Sequence, residues 1–299
     1  MSPKTRVWVA LWAVYLIWGS TYLGIKLAGE TIPPIFAASI RFIAAGALMA
    51  AFVAWRRGAR LLLPGRAAFL SAAAVGVLLP SANALLFVAE RHVPIGTASL
   101  VIGSVPLWIV LLRLATGDRP TRRSLGAVVV GFAGLAILVR PGGGTSVGWL
   151  ALVVCSALAW ALGSFLSSRL PMPADAFAAT ALEMLVGGLF LLPFGLVFHG
   201  SESLNPADFS TRSILGWVYL VLFGSLVGYT AYVWLLGHAP IGTVATYAYV
   251  NPVVAIVLGV VFLGETVTWT IAAAAAVILV SVAVVIRQEA ASVIEPFAE

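Results

Sequence analysis

Apolar residues fill this chain in blocks of about 20, and within the blocks hydrophobicity does not alternate with period two. A helix of that length crosses a bilayer core of roughly 30 Å, whereas a barrel strand needs about 10 alternating residues. The pattern predicts spans near residues 7–26, 34–54, 68–89, 94–115, 123–139, 147–168, 174–198, 213–236, 240–262 and 268–286. Proline and glycine separate them at Pro33-Pro34, Pro64-Gly65, Pro120, Pro141 to Gly144, Pro171-Met172-Pro173, Pro206 and Gly264.

Composition then fixes the solvent. The chain of 299 residues is 62% hydrophobic and 9% charged, with mean hydropathy +1.07. Soluble domains carry roughly 25% charged residues, so this much apolar surface needs lipid around it. In lipid every backbone donor and acceptor must pair internally, which leaves helices for runs of this kind. The expected fold is an all-α integral membrane protein of ten transmembrane helices. The N-terminus, with Lys4 and Arg6 before an apolar run, mimics a signal peptide, but the run is too long, and it reads as the first span.

The formal charge of +6 does not point to nucleic acid, because the basic residues sit in short clusters between spans. With the N-terminus in the cytoplasm, twelve fall inside: Lys4, Arg6, Arg56, Arg57, Arg60, Arg66, Arg113, Arg119, Arg122, Arg123, Arg169 and Arg287. Four fall outside, at Lys26, Arg91, Arg140 and Arg212, and Arg41 lies within a span. That bias predicts a multi-pass protein of a bacterial inner membrane with both termini cytoplasmic. The single cysteine, Cys155, lies in an apolar run and reads as a small packing residue, so neither a disulfide nor a cysteine metal site is expected.

The chain also repeats itself. His92-Val93-Pro94-Ile95-Gly96-Thr97 returns 146 residues later as His238-Ala239-Pro240-Ile241-Gly242-Thr243, and each copy is followed by a second proline, Pro106 and Pro252. Arg41 to Gly46 resembles Glu183 to Gly188, and Gly117-Asp118 parallels Gly264-Glu265. Five spans is an odd number, so a second set of five crosses the membrane upside down. Residues 1–142 and 143–287 are therefore expected as two inverted five-helix repeats around a central cavity, with 288–299 as a cytoplasmic tail. Interrupted apolar segments at matching places in two halves point to the central site of a carrier.

Helical spacing nominates the lining. The first span offers Trp18, Thr21 and Tyr22; the third Asn83 and Phe87; the fourth Ser104 and Trp108; the sixth Trp160 and Ser164; the eighth Tyr229 and Tyr232; the ninth Tyr247 and Asn251. These are aromatic, hydroxyl and amide groups with few charges, suited to a flat neutral or zwitterionic molecule. Pro106 and Pro252 are candidate hinges. Arg41 and Glu183, ionisable and within spans, are candidates for an ion pair or for coupling. Glu90, Arg91 and His92 read as solvated at a span end, and His238 as part of a tight hairpin.

Ile17-Trp18-Gly19-Ser20-Thr21-Tyr22-Leu23, Thr246-Tyr247-Ala248-Tyr249-Val250-Asn251-Pro252-Val253 and Gly264-Glu265-Thr266 carry a resemblance over nearly the whole chain. In order and spacing they resemble the EamA-type exporters of the drug/metabolite transporter superfamily, most closely the group containing YedA and YddG. The resemblance implies ten helices in two inverted halves and export of small metabolites, with aromatic amino acids among the substrates of one branch. No cofactor, metal or nucleic-acid partner is expected. The expected partners are a small-molecule substrate and the lipid bilayer, for a monomer or homodimer. The first span lacks the acid that small four-helix relatives use for proton coupling, which leaves facilitated export or coupling through Glu183. The competing reading is a membrane enzyme or lipid scramblase acting on lipid-linked substrates. It is opposed by three histidines near loop ends and by the lack of HExxH, GxSxG, CxxC and P-loop motifs.

Overall fold

A computed structural model describes residues 2–139, 146–236, 238–239 and 241–294. The joint between the halves and Pro240 lie outside the described residues. The chain forms α1 (Pro3–Ala28), α2 (Pro34–Val53), α3 (Arg66–Glu90), α4 (Ile95–Gly103), α5 (Val105–Ala115), α6 (Arg122–Val139), α7 (Val147–Ser167), α8 (Ala176–Val197), α9 (Thr211–Tyr219), α10 (Gly228–Leu236), α11 (Ile241–Val244), α12 (Tyr247–Leu263) and α13 (Trp269–Ile294). Leu220–Val227, between α9 and α10, is π-helical. The last helix runs through residues 288–294, which were expected to start a tail.

Nine apolar stretches among the described residues are at least 18 residues long. The tenth crossing is α12, whose 17 residues span about 26 Å, extended by α11. Large apolar side chains point outward along these helices, as at Val129, Phe262 and Val280, which are all more than half exposed. A soluble monomer would not leave so many uncovered, and lipid is the surface they meet. Cys155 is among the exposed residues, so it faces outward and is not a packing residue.

The packing of the spans returns on itself when each is moved five places along the chain. The second span packs on the seventh (α2 on α8), and the fifth on the tenth (α6 on α13). The third packs on the sixth (α3 on α7), as the eighth does on the first (α10 on α1). The sixth packs on the fourth (α7 on α4 and α5), as the first does on the ninth (α1 on α12). Two groups of three spans result: α3, α4–α5 and α7 in one, and α1, α9–α10 and α12 in the other. The pairs α2–α8 and α6–α13 flank them.

Small residues allow the flanking pairs to close. A Cβ on Gly188 would lie 2.7 Å from the backbone nitrogen of Ile43 on α2, and α8 approaches α3 as closely, since a Cβ on Gly187 would lie 2.0 Å from the carbonyl oxygen of Gly76. Without a hydrophobic drive between helices in lipid, such close backbone approach supplies the attraction. Ser39 adds a bond across the α2–α8 contact, its hydroxyl donating to the Gly188 carbonyl at 2.9 Å.

Candidate substrate cavity between the two halves

A cavity of about 550 Å³ lies between the two groups of spans, within the range of small-molecule sites. Its aromatic wall is built by α1, α10 and α12. The Trp18 ring lies 5.5 Å from Tyr229, 5.1 Å from Tyr232 and 5.1 Å from Tyr247, with the Tyr229 and Tyr247 contacts edge to face. Trp18 Nε1 donates to the carbonyl of Gly224 at 3.2 Å, a π-helical carbonyl. Trp160 and Ser164 of α7 and Asn83 of α3 complete the lining from the other group.

Ten of the thirteen nominated lining residues meet here: Trp18, Thr21, Tyr22, Asn83, Trp160, Ser164, Tyr229, Tyr232, Tyr247 and Asn251. Their polar atoms are partly engaged. The Thr21 hydroxyl donates back to the Trp18 carbonyl at 2.6 Å. With its amide nitrogen turned toward the carbonyls, Asn251 donates to Tyr247 at 3.3 Å and Tyr15 at 3.2 Å.

Phe87, Ser104 and Trp108 stand outside the lining. Phe87 lies one turn beyond Asn83, in the buried apolar core. The other two miss because the fourth span is not one helix. It breaks at Ser104, the joint of α4 and α5, so the face carrying Thr97, Ser104 and Trp108 is not continuous. Ser104 is buried, and its hydroxyl donates to the Val101 carbonyl and accepts from Trp108 Nε1. The Trp108 ring packs on Phe132, 4.4 Å away. Ile102, Gly103, Val105, Pro106 and Ile109 face the cavity instead.

The two hinge candidates also differ. Pro106 sits at the start of α5, beside the break. Pro252 lies inside a continuous α12, and the interruption of that span falls upstream at Ala245 and Thr246. Arg41 and Glu183 do not form an ion pair. Arg41 lines the cavity, 4% exposed, with Nε donating to Ser225 Oγ at 3.2 Å and Nη1 to Asn83 Oδ1 at 3.4 Å. Glu183 is outside the lining, on α8, with its backbone against Gly76.

The two ends of the cavity are built differently. At one end the groups of spans are bonded to each other. Lys26 of α1 donates to the carbonyls of Glu90 and Arg91 at the end of α3. Arg91 donates to the Gly29 and Ile32 carbonyls and pairs with Glu202. The Glu265 carboxylate accepts from the backbone nitrogens of Ile95 at 2.6 Å and Gly96 at 3.1 Å, which caps the N-terminus of α4. Those donors have no partner within their own helix, and the helix dipole favours a negative charge there.

Local backbone geometry delivers that carboxylate. Gly264 takes the left-handed conformation (φ +66°), which turns the chain back after α12. A Cβ on Gly259 would lie 2.4 Å from Glu265 Oε2, so only glycine leaves the carboxylate room. The repeat-equivalent Gly117 is also left-handed, at φ +90°.

Glu90, expected in solvent, is fully buried at this end, and neither of its carboxyl oxygens has a hydrogen-bond partner. At the other end the cavity runs out to Arg113, Val285 and Ile286. There Asp118 ties Arg113 of its own span to Arg169 at the end of α7, within one group. The hydrogen bond from Arg113, with Arg169 behind it, holds the Asp118 carboxyl below the usual carboxylate range.

Sequence reasoning missed Arg113 as a lining residue because a basic residue at a span end reads as a topology signal. It also missed the cap. The Gly–acid pair after the ninth span was visible, and so were the unpaired nitrogens that follow Pro94, but nothing in the sequence joined them.

A helical membrane protein whose inverted halves enclose a ligand-sized cavity, bonded across at one end, belongs to the class of membrane carriers. The profile of the EamA-like transporter family matches residues 7–140 and again 147–287. The chain belongs to that family. It is 36% identical over 260 residues to the Escherichia coli (strain K12) "Uncharacterized inner membrane transporter YedA", covering 86% of this chain and 83% of the relative. It is 26% identical over 267 residues to the Salmonella typhimurium "Probable amino-acid metabolite efflux pump", covering 85% and 86%. A solved crystal structure shares the fold with a TM-score of 0.63 at 22% identity, covering 95% of this chain and 96% of the other.

Proposed function

We propose that the protein exports small amphiphilic metabolites, foremost amino acids with aromatic or other neutral side chains, by alternating access. The reading places it in a bacterial inner membrane with both termini in the cytoplasm, so that the Arg113–Ile286 end of the cavity faces inward. One observation carries it: an aromatic and polar cavity of about 550 Å³ whose two walls are bonded together at one end while it reaches out toward the other. Four rings, Trp18 and the three tyrosines around it, offer stacking and edge contacts to a flat side chain, and the amides of Asn83 and Asn251 offer hydrogen bonds. One relative is named as an inner membrane transporter and another as a probable amino-acid metabolite efflux pump, and the second name agrees with the direction proposed.

Counterflow of radiolabelled phenylalanine, tryptophan and leucine in proteoliposomes tests the reading. The expected result is uptake driven by unlabelled amino acid in the lumen, lost in Trp18→Ala with the variant still folded. Trp108→Ala should lower stability by about 3–5 kcal/mol as a packing loss, with transport remaining in the folded fraction. No counterflow with any amino acid across the panel would refute it.

A further inference from the structure

Among the described lining residues, Arg41 carries the one full charge in the middle of the cavity wall, since Arg113 lies at the end of its span. Its guanidinium is buried and meets two neutral acceptors, the Ser225 hydroxyl and the Asn83 amide oxygen. Below it lies the Phe42 ring, 5.0 Å from the guanidinium carbon. A guanidinium has five donors in a rigid fork. Two are bonded to neutral groups here, and no acid among the described residues forms an ion pair with Arg41.

Taking a cation out of water without a counter-charge is costly, so such a residue in a span normally has an anionic partner. Glu183, its equivalent in the other half, does not supply one. On the side of the π-helical segment the guanidinium packs directly against the backbone of Gly224. A Cβ on Gly224 would lie 3.3 Å from Nη2, so glycine lets this backbone approach the guanidinium closely and adds no counter-charge. The same segment holds Ser225 against Nε and turns the Gly224 carbonyl to Trp18.

We propose that Arg41 is the anchor for a carboxylate on the transported molecule, so that the substrate class is the carboxylic acid with an aromatic or apolar side chain. The inference rests on the exporter reading above and adds to it the group that recognition requires. A carboxylate accepts two parallel N–H bonds from the guanidinium and neutralises it. The side chain then lies along the rings of Trp18, Tyr232 and Tyr247. The amino group is secondary, and its charge is met by ring faces.

The test is thermal stabilisation of the purified full chain by four probes: phenylalanine, 3-phenylpropionate, phenylalanine methyl ester and 2-phenylethylamine, followed by counterflow inhibition by each. Phenylalanine and 3-phenylpropionate should bind, and the ester and amine should bind roughly 10- to 100-fold more weakly, the range of a charge-assisted hydrogen bond. Arg41→Gln should erase the difference between acid and ester. Arg41→Lys, which keeps the charge and loses the fork, should bind acids less tightly than the wild type. If neither variant folds, the wild-type panel decides alone, because it needs no substitution. Equal binding of acid, ester and amine overturns the Arg41 assignment and leaves the exporter reading standing. Absence of binding and counterflow for all four probes and for the neutral amino acids overturns both.

Discussion

Glu90 and Asp118 show two fates for an acid at a span end, and sequence alone does not separate them. Both stand in polar stretches after an apolar run. Asp118 remains in reach of two arginines, while Glu90 is fully buried with no hydrogen bond to its carboxyl group. Lys26 bonds the Glu90 backbone and not its side chain. Desolvating an unpaired polar group costs about 1–3 kcal/mol. Glu90→Met should therefore leave the melting temperature unchanged or raise it. A drop of several degrees would mean that the carboxyl group has a stabilising partner.

The Asp118 pairing has the opposite consequence. Its pKa in the folded state lies below the 3.8 of an unperturbed aspartate, so its contribution is complete above that pH and is lost as pH falls through the folded value. The difference in melting temperature between wild type and Asp118→Asn should stay constant from pH 5 to 8 and shrink only below about pH 4. A difference that changes between pH 6 and 8 would contradict the pairing. The lining residues were far more legible than these acids. Trp18, Tyr22, Tyr247 and Asn251 repeat at helical spacing on continuous helices, so counting residues places them correctly.

At the scale of elements, irregular helices carry what counting missed. A single turn of difference moves a side chain from one face to another, so the break at Ser104 removes Ser104 and Trp108 from the wall and brings in Ile102 and Pro106. The π-helical segment Leu220–Val227 likewise adds a local register change, and it is here that Ser225 reaches Arg41. Wider turns of this kind are common at functional sites. Proline announced a break in the fourth span, but in the ninth it sits inside α12 and the break lies upstream. Sequence identity between the repeats therefore did not extend to identical backbone conformation.

The cap of α4 by Glu265 is the element-scale contact at the bonded end. A carboxylate at a helix N-terminus contributes about 0.3–2 kcal/mol, enough to tilt an equilibrium between states of similar energy. Glu265→Gln keeps the size and removes the charge, and Gly259→Ala pushes the carboxylate out of place. Both variants should raise the accessibility of a cysteine at Ser99, in a Cys155→Ala background, to an impermeant thiol reagent added from the Glu265 side. Unchanged protection would show that the cap does not hold that end closed.

At the scale of the whole molecule, the packing pattern that repeats under a shift of five spans is the strongest mark of an inverted duplication. It could be expected from the doubled His-x-Pro-Ile-Gly-Thr sentence and the odd number of spans per half. Lipid made that legible, since backbone groups there must close into helices and leave length and charge as the main variables. What could not be read is the difference between the two ends. That difference depends on side chains meeting across 170 residues, as Glu265 meets Ile95. It is also what alternating access requires: like halves hold unlike conformations, and exchanging those conformations moves the opening from one end to the other.

The most direct test is a pair of distance measurements by electron spin resonance in a Cys155→Ala background. One pair of labels, at His92 and Thr266, spans the bonded end, and the other, at Thr116 and His238, spans the end near Arg113. Without substrate the first pair should give a narrow, short distribution and the second a longer one. Adding transported amino acid should populate a second state in which the first distance lengthens and the second shortens. Distances that stay fixed, or that lengthen together, would contradict two halves rocking about a shared cavity.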